Sequence, residues 1–379
     1  MKTNLIYILG MMCLSGTVSA QTTVNYTEFE QKVLDYSQTL KQSVSQRTAM
    51  QKAMKAAKTA FFPAVDATGS YQYRINKYDM DFGGMAVPME HDSYSAEVGV
   101  VQPIYAGGSI YHTYKASQIQ SQIADKSVDL TTDNLIYAAE ASYWGTAAQK
   151  EMYKTMCQYV EIISQLTKVL QDKYDDGYIS KTDLIQMQTR LKEAELQRSS
   201  SYQSYQIALQ NMNVLMGLEP DKEVGLVDSI FVELPLPAYV GADAALNVRP
   251  DYAISQLDVD YQKRQVKLAA AKYNPSLSIG FKETWGTQML NISGETMFNS
   301  NVYASVKLPL FHWGARFKST AAQKAILLGK QYALQDKQDQ ITKEVAKAWT
   351  SLTENTHQID IAKENCKLAE ENLDLNTFS

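Results

Sequence analysis

The sequence has few of the residues and runs that identify enzymes and helical membrane proteins. Its 379 residues include three cysteines and four histidines, and neither set shows the spacing of metal ligands. Two double-glycine stretches, 83–84 and 107–108, lack the pattern of a phosphate-binding loop. No stretch after the N-terminal segment approaches a run of about 18 apolar residues. We therefore expect no enzyme, no cofactor, no bound metal and no transmembrane helix in the mature chain.

Positive charge is scarce relative to negative charge. The formal net charge is −5, with 36 Lys and Arg against 41 Asp and Glu. This balance argues against nucleic acid as a partner, because its phosphates select basic proteins. Cys157 and Cys366 lie far apart in helical pattern, so a pair of free thiols and a disulfide both remain open for them.

Residues 1–20 have the three parts of a secretory signal peptide. These parts are a charged start at Lys2, an apolar run that ends near Leu14, and the small-residue cleavage site Val18-Ser19-Ala20. The apolar run is too short to span a bilayer as a helix. We expect an exported mature chain that begins at Gln21.

The chain contains two copies of one unit. KAAKTAFFPAVDATGSYQYR resembles KLAAAKYNPSLSIGFKETW, with Pro63 and Pro275 aligned at an offset of 212 residues. QPIYAGGS resembles LPLFHWGA, with Pro103 and Pro309 aligned at an offset of 206 residues. The offset changes between the two anchors, where a hairpin loop of different length can absorb the difference. Each copy therefore reads as helix, strand, loop, strand and long helix.

The predicted strands alternate apolar and polar residues. Tyr94, Ala96, Val98 and Val100, for example, are separated by smaller or polar residues. This alternation suits a half-buried sheet and equally the wall of an outer-membrane barrel. Four strands cannot close a barrel, and an open edge cannot lie in lipid, so membrane strands here would require an oligomer.

The predicted helices carry narrow apolar stripes. Residues such as Ile341, Val345, Ala348 and Leu352 recur at spacings of three and four, which indicates helix-on-helix packing of the coiled-coil type. The stretch KYDDGYISKTDL ends one long helix and begins the next. Gly177 is expected in the left-handed conformation that ends a helix, and Ser180 is expected to cap the following helix with Asp183.

Several short motifs and their order along the chain resemble those of the TolC-like outer-membrane efflux proteins. These proteins are the exit ducts of tripartite pumps and type I secretion systems. The motifs are Phe61-Phe62-Pro63 and Asn274-Pro275 before the first strand of each copy, Pro-[Ile/Leu]-[Tyr/Phe]-x-x-Gly after the second strand, Arg249-Pro250-Asp251, and Tyr174-x-x-Gly177-x-x-Ser180-x-x-Asp183-Leu184. The resemblance covers nearly all of the mature chain.

The resemblance implies a mixed α and β fold in the outer membrane of a Gram-negative bacterium. Long antiparallel helical hairpins would form an α-barrel in the periplasm, and four membrane strands per chain would contribute to a trimeric twelve-stranded β-barrel. The expected divisions are a signal peptide (1–20), a first repeat (21–216, with strand pair 64–105 and hairpin 108–216), an equatorial linker that can form a small strand pair (217–248), and an incomplete second repeat (249–379, with strand pair 276–311 and helix 315–379).

The resemblance also implies the partners and the residues that meet them. The expected partners are two further copies, outer-membrane lipid, and a periplasmic adaptor protein that links the chain to an inner-membrane transporter. The residues expected at the periplasmic tip, in contact with the adaptor, are Tyr174, Asp175, Asp176, Gly177, Ser180 and Asp183. The residues expected at the strand–helix transitions are Pro63, Pro103, Gly107, Gly108, Pro275, Pro309 and Gly314.

The expected function is a passive conduit, and two other classes compete with it. A periplasmic coiled-coil adaptor would have one helical hairpin flanked by compact β-domains. A structural coiled-coil protein would have sustained heptads without strand pairs flanked by proline. The repeat and its strand pairs favour the conduit, although they name neither the cargo nor the class of pump.

The second copy lacks a counterpart of the KYDDGYISKTDL turn. Adding 206 to Tyr174 gives position 380, one residue past Ser379. We therefore expect the sequence to be part of a longer chain of roughly 440 residues, with one more helix of the length seen after Ser180. Expressed alone, the given sequence is not expected to form a sealed, conducting trimer. The gate residues of the resembled family belong to that second turn and are assigned to no residue here.

Overall fold

The computed structural model describes residues 22–76, 79–88, 90–232, 235–287 and 295–377. The expected signal peptide and Gln21 lie outside these ranges. None of the described helices combines the length and the apolar character that a bilayer-spanning helix needs. The strands are β1 (Thr22–Val24), β2 (Ala64–Tyr73), β3 (Asp79–Phe82), β4 (Met85–Pro88), β5 (Asp92–Ala106), β6 (Val224–Leu226), β7 (Ser276–Thr287) and β8 (Thr296–Lys307). The helices are α1 (Tyr26–Tyr36), α2 (Gln38–Thr59), α3 (Ser109–Asp175), α4 (Lys181–Leu215), α5 (Ala242–Val248), α6 (Pro250–Ala271) and α7 (Ala315–Thr377).

The contacts divide the chain into two units. The first unit takes its described residues from 22–38 and 132–232 and contains β1, α1, the second part of α3, α4 and β6. The second unit takes its described residues from 39–131 and 235–377 and contains the remaining strands and helices.

The core of the first unit forms where α1 meets the α3–α4 hairpin. Phe29, Tyr143 and Met212 are fully buried there, and α1 begins where the Asn25 side chain accepts a hydrogen bond from the Glu28 N–H at 2.9 Å. Tyr26 stacks on Trp144 at this core, with ring centroids 6.1 Å apart. Burial of these aromatic rings, together with aliphatic side chains, forms the apolar core of the first unit.

A short parallel sheet covers that core. Strand β1 pairs with β6 in register from Thr22↔Val224 to Val24↔Leu226. The linker prediction for 217–248 is corrected here, because β6 pairs with the start of the chain and not with a second linker strand. The linker also contains a helix, α5, which the sequence analysis did not predict.

One antiparallel sheet organises the second unit, in the strand order β2-β5-β7-β8. Its four strands come from the two predicted pairs, which β5 and β7 join through the register Val100↔Phe281. Four further strands lie outside this sheet among the described residues, because β3 and β4 form a small hairpin and β1 pairs with β6. Strand β8 also ends at Lys307, before the predicted limit of 311.

All four helices attached to this sheet join it at the same end of its strands. The junctions are the chain segments between α2 and β2, between β5 and α3, between α6 and β7, and between β8 and α7. The register brings them together, because Ala106 pairs with Ser276 and Ser276 pairs with Lys307. We call this end of the strands the junction edge. It is distinct from the outer edges of the sheet, which are β2 and β8.

The two faces of the sheet differ in polarity. The side chains of Tyr71, Val98, Phe281 and Val302 lie on one face of the sheet. The register pairs Tyr71 with Tyr94, and Phe281 with Val100 and Val302, while Tyr94, Val98 and Val100 share one face of β5. The opposite face carries a hydrogen bond between the Ser70 and Ser95 hydroxyls at 2.9 Å, and an ion pair between Lys282 and Glu97. The predicted alternation is therefore present as one mainly apolar face, on which Ser300 donates to Glu283, and one polar face.

Candidate functional site

The turn between α3 and α4 ends the first helix with a left-handed glycine, as predicted. Gly177 has φ +82°, and its N–H donates to the Tyr174 carbonyl at 2.9 Å. The N–H of Tyr178 donates to the Lys173 carbonyl at 2.8 Å. These two hydrogen bonds form a Schellman motif, which satisfies carbonyls that a helix end otherwise leaves free.

The second helix begins with the predicted cap. The Asp183 N–H donates to the Ser180 hydroxyl oxygen at 3.2 Å, and the Ser180 N–H donates to the Asp183 carboxylate at 3.2 Å. The Ser180 hydroxyl also donates to that carboxylate at 2.8 Å. This reciprocal capping box fixes the direction in which α4 leaves the turn, and it places a negative charge at the positive end of the helix.

The six residues predicted for the tip lie together in this one turn. Five of them are exposed and Tyr174 is half-buried, while Leu184 is buried and anchors the turn on the hairpin. Tyr178 was not predicted as a tip residue, yet its side chain is 79% exposed beside Gly177. The turn therefore presents three carboxylates and one free aromatic ring, which suit recognition of a partner surface and offer no nucleophile or proton-transfer pair.

The residues predicted for the strand–helix transitions lie at the junction edge. Pro63 and Pro275 precede β2 and β7, Pro309 follows β8, and Pro103 lies in β5 at a register shift before Tyr105. Prolines fit here because they lack the N–H that a continuous strand pairing needs.

The glycines of the transitions adopt left-handed backbone conformations. Gly107 and Gly108 have φ +66° and +88°, and Gly314 has φ +73°. At Gly107 a Cβ atom would lie 2.6 Å from the Ala271 carbonyl oxygen, so no larger residue fits without backbone movement. The Asn274 side chain donates to the Gly107 carbonyl at 2.8 Å and fastens the two copies of the repeat together.

Trp313 departs from this pattern and was not singled out from the sequence. It occupies the repeat position of Gly107 and has φ +48°, which is rare for a residue with a side chain. Its side chain is 85% exposed. The alignment of the two copies could have indicated this site, because the second copy has Trp313 at the position of Gly107.

An ion-pair network joins the start of α6 to α7. Arg249 pairs with Asp251 at 2.8 Å and with Glu344 at 2.6 Å. Burial by itself raises the pKa of Asp251, but the hydrogen bond from Arg249 and the charges of Arg249 and Lys337 outweigh it and lower that pKa. The Arg249-Pro250-Asp251 motif thus fixes the first turn of α6 against α7.

Other shifted groups lie outside the predicted sites. Burial, followed by a hydrogen bond and charge from Glu30, raises the pKa of Tyr26 to about 12. Burial, followed by the charges of Lys267 and Arg264, lowers the pKa of His112. Among the described residues, no group of three His, Cys, Asp or Glu side chains is placed to hold a metal ion.

The comparisons with known proteins agree with this architecture. The sequence matches the family described as Outer membrane efflux protein over residues 30–218 and 241–378. The Alkaline protease secretion protein AprF of Pseudomonas aeruginosa is 21% identical over 278 residues, which are 71% of this chain and 57% of that relative. The matched part of the chain therefore spans less than two thirds of the length of AprF.

Solved structures share the fold. The outer membrane protein VceC from Vibrio cholerae superposes with a TM-score of 0.77 at 14% identity, covering 91% of this chain and 83% of VceC. The CmeC outer membrane channel of Campylobacter jejuni superposes with a TM-score of 0.69 at 16% identity, covering 82% of this chain and 67% of CmeC. The helix-rich architecture with one antiparallel sheet is thus that of outer-membrane channels.

Proposed function

Because the chain belongs to the outer membrane efflux protein family, we propose that it forms, as a homotrimer, the exit duct of a tripartite efflux pump or a type I secretion system. The protein resides in the outer membrane and has a periplasmic extension. The duct would be passive, with a water-filled lumen and with energy supplied by an inner-membrane transporter.

The observation that carries this proposal is a sheet with two unpaired edges and two unlike faces. An open edge cannot remain in lipid, because its N–H and C=O groups would have no hydrogen-bond partner. A second copy that pairs its β2 with β8 removes one edge, and a third copy closes the ring. The apolar face would then meet lipid, and the polar face would line the lumen.

The repeat also supports pairing between copies. Residues 102–106 of β5 pair along the first residues of β7. Their repeat counterparts, 308–312, belong to no strand in the single chain. A second copy's β2, the counterpart of β7, would supply the partner that these residues lack.

The repeat offsets define the register of that pairing. Adding 206 converts a β5 position into a β8 position, and subtracting 212 converts a β7 position into a β2 position. The observed pair Val98↔Glu283 therefore maps onto Ala304 of one copy and Tyr71 of a second copy. The observed contact between Gly107 and Asn274 maps in the same way, so Trp313 of one copy would lie against Phe62 of the next. Both side chains are exposed in the single chain.

Disulfide cross-linking tests this assembly. In a background with Cys157→Ser and Cys366→Ser, Ala304→Cys combined with Tyr71→Cys should give covalent dimers and trimers on non-reducing gels. A disulfide within one chain is excluded, because two strands separate β2 from β8 and place them roughly 14 Å apart.

The control keeps Ala304→Cys and moves the second cysteine to Val65. This position lies six residues from Tyr71, or about 20 Å along the strand, so it should give monomers. Monomers from both variants, or equal cross-linking from both, would contradict closure in the proposed register.

We also propose that the turn at Gly177 docks on the periplasmic adaptor. Support comes from its exposed carboxylates, the exposed Tyr178 ring and the two caps that hold its backbone in one conformation. A rigid tip loses little conformational entropy when it binds, which favours a defined contact. The cargo of the duct is named by no residue in the described chain.

A further inference from the structure

The helical segments next to the junction edge carry many cations and no acidic residue. The segments 50–63, 107–124, 261–275 and 308–326 contain no Asp or Glu. They contain eleven basic residues: Lys52, Lys55, Lys58, Lys115, Lys263, Arg264, Lys267, Lys272, Arg316, Lys318 and Lys324. We call these eleven residues the basic collar. The charge of the collar is positive, whereas the chain as a whole has a formal net charge of −5.

Most collar side chains have no polar partner among the described residues. The Lys115 side chain bonds to Gln118 and the Lys263 side chain pairs with Asp260, while the side chains of the other nine make neither a hydrogen bond nor an ion pair with a described residue. Lys52, Lys55 and Lys58 follow one another at a spacing of three and are exposed along α2. The collar therefore presents uncompensated positive charge toward solvent.

Part of the collar lines a groove between α3, α6 and α7. The groove has a volume of about 770 Å³, and Lys115, Lys263, Arg264 and Lys267 lie on its walls. Asp260 is the sole acidic residue on the walls, and Lys263 already neutralises it at 2.8 Å. The space and its charge fit a phosphate group with its substituents.

Exposed aromatic residues accompany the cations. Phe61 is 41% exposed and lies three residues after Lys58, while Phe317 is 78% exposed between Arg316 and Lys318. The exposed fractions of Tyr111 and Trp313 are 48% and 85%. From the sheet toward the helices, the surface therefore changes from apolar residues to aromatic rings and then to cations. This is the order of hydrocarbon, interface and phosphate layers in a bilayer.

We propose that the basic collar binds the phosphates of anionic phospholipids in the leaflet on the helical side of the membrane. The proposal rests on the proposed function, since it requires the sheet to lie in the membrane. All collar residues lie within about 15 Å of helix from the junctions. The headgroup layer next to the hydrocarbon is about 5–7 Å thick, and the long side chains of Lys and Arg let the more distant collar residues reach toward it. An anionic cargo in the lumen would explain the cations but not the exposed aromatic rings among them.

Spin-labelled lipids test the proposal on the full chain in vesicles. The measurement compares association of spin-labelled phosphatidylglycerol with that of spin-labelled phosphatidylcholine in the same proteoliposomes. Phosphatidylglycerol should associate about threefold or more tightly, and about 1 M salt should remove the difference by screening. The triple variant Lys52→Gln, Lys55→Gln and Lys58→Gln should lose much of the preference, whereas Lys→Arg at the same positions should keep it.

The matched control removes three lysines elsewhere. Lys343, Lys347 and Lys367 are exposed on α7 at least 28 residues from its first residue, and none has a polar partner among the described residues. Their replacement by Gln should leave the lipid preference unchanged. Equal losses from the collar and control variants would overturn the proposal.

The remaining outcomes separate the collar from the duct. A chain that enters vesicles and shows no preference for phosphatidylglycerol overturns the collar proposal and leaves the duct intact. A collar variant with an unchanged preference for phosphatidylglycerol shows that these cations do not face the leaflet, which also overturns it. A chain that enters no vesicle of either composition contradicts the proposed function, and the collar proposal falls with it.

Discussion

Gly177 and Gly107 both have left-handed backbones, but they tolerate substitution differently. A Cβ atom at Gly177 would meet nothing within 4 Å, so only the backbone conformation penalises a larger residue. A Cβ atom at Gly107 would also collide with the Ala271 carbonyl oxygen. Gly107 is thus required by packing at the junction edge, whereas Gly177 is required only by the shape of an exposed turn. That difference lets Gly177 be changed with little effect on the rest of the fold.

Gly177→Val should impair export more than it impairs assembly. A β-branched residue disfavours the left-handed conformation by roughly 1–2 kcal/mol, so the Schellman motif should open and the tip should lose its fixed form. Export of cargo and trimer yield should be measured in parallel. A Gly177→Asn control should retain both, because Asn tolerates this conformation. If trimer yield falls as far as export, the turn is structural only.

The Tyr143 hydroxyl lies between two acceptors in the core of the first unit. It donates to the Asp228 carboxylate at 2.7 Å and lies 3.0 Å from the Val24 carbonyl oxygen. The Asp228 carboxylate also accepts from the Tyr26 N–H at 2.7 Å. Burial, followed by the hydrogen bond to Asp228, raises the pKa of Tyr143. The hydroxyl therefore stays protonated and ties β1 and the segment after β6 to α3.

Tyr143→Phe should weaken the β1–β6 sheet without removing the aromatic packing. The loss should be about 1–3 kcal/mol, since the half-buried Asp228 carboxylate loses its phenol donor. Amide hydrogen exchange at residues 22–24 and 224–226 should report it as faster local exchange. The control is Tyr137→Phe on the same helix, where the ring is 74% exposed and exchange should not change. Unchanged exchange in the Tyr143 variant would contradict the role assigned to the hydroxyl.

At the scale of elements, the sequence predicted what local patterns can specify. Alternation located β2, β5, β7 and β8, because side chains on a sheet repeat every second residue. The β1–β6 pairing could not be predicted in this way, because it joins two three-residue strands that lie about 200 residues apart in sequence. The partner of a short strand depends on tertiary contacts, which a local pattern does not contain.

The positions of the apolar stripes on the helices were predicted from the sequence, but only some residues of these stripes are buried. Val160 is buried between the hairpin helices, whereas Met152 and Leu166 of the same stripe are 53% and 43% exposed. A hairpin of two helices covers one side of each helix only. Further copies of the chain would cover the remaining apolar positions, so a single chain cannot decide where the stripe is buried.

The α6–α7 contact should weaken in acid through Asp251. The folded-state pKa of this carboxyl is lowered, so its contribution is present above the unfolded value and is lost as pH falls below about 4. Asp251→Asn should destabilise the contact by about 1–2 kcal/mol at neutral pH and should remove this part of the acid sensitivity. Unfolding midpoints in detergent across the acid range would measure both effects.

The control for that prediction is Asp260→Asn on the same helix. Asp260 pairs with Lys263 at 2.8 Å, but both side chains are 54% exposed. Its replacement should change stability by less than about 0.5 kcal/mol. Equal effects from the two variants would show that the Arg249 network adds nothing beyond an exposed ion pair.

At the scale of the whole molecule, the twofold repeat explains most of the arrangement of the sheet. It predicts two strand pairs, and the structure joins them into one sheet whose outer edges have no partner strand among the described residues. It also relates the internal β5–β7 register to a register between copies. Neither the number of copies nor the side of the sheet that meets water follows from the repeat alone.

The most direct test of the central claim is the accessibility of neighbouring positions on the two faces of the sheet. Single cysteines would replace Ser70, Tyr71, Ser305 and Val306 in the background without Cys157 and Cys366. A charged, membrane-impermeant thiol reagent would then be applied to outer-membrane fractions. The account predicts labelling at 70 and 305, and protection at 71 and 306 until detergent removes the lipid. All ten residues of β2 are exposed in the single chain, so equal labelling at 70 and 71 in the intact membrane would contradict a membrane sheet with water on one side.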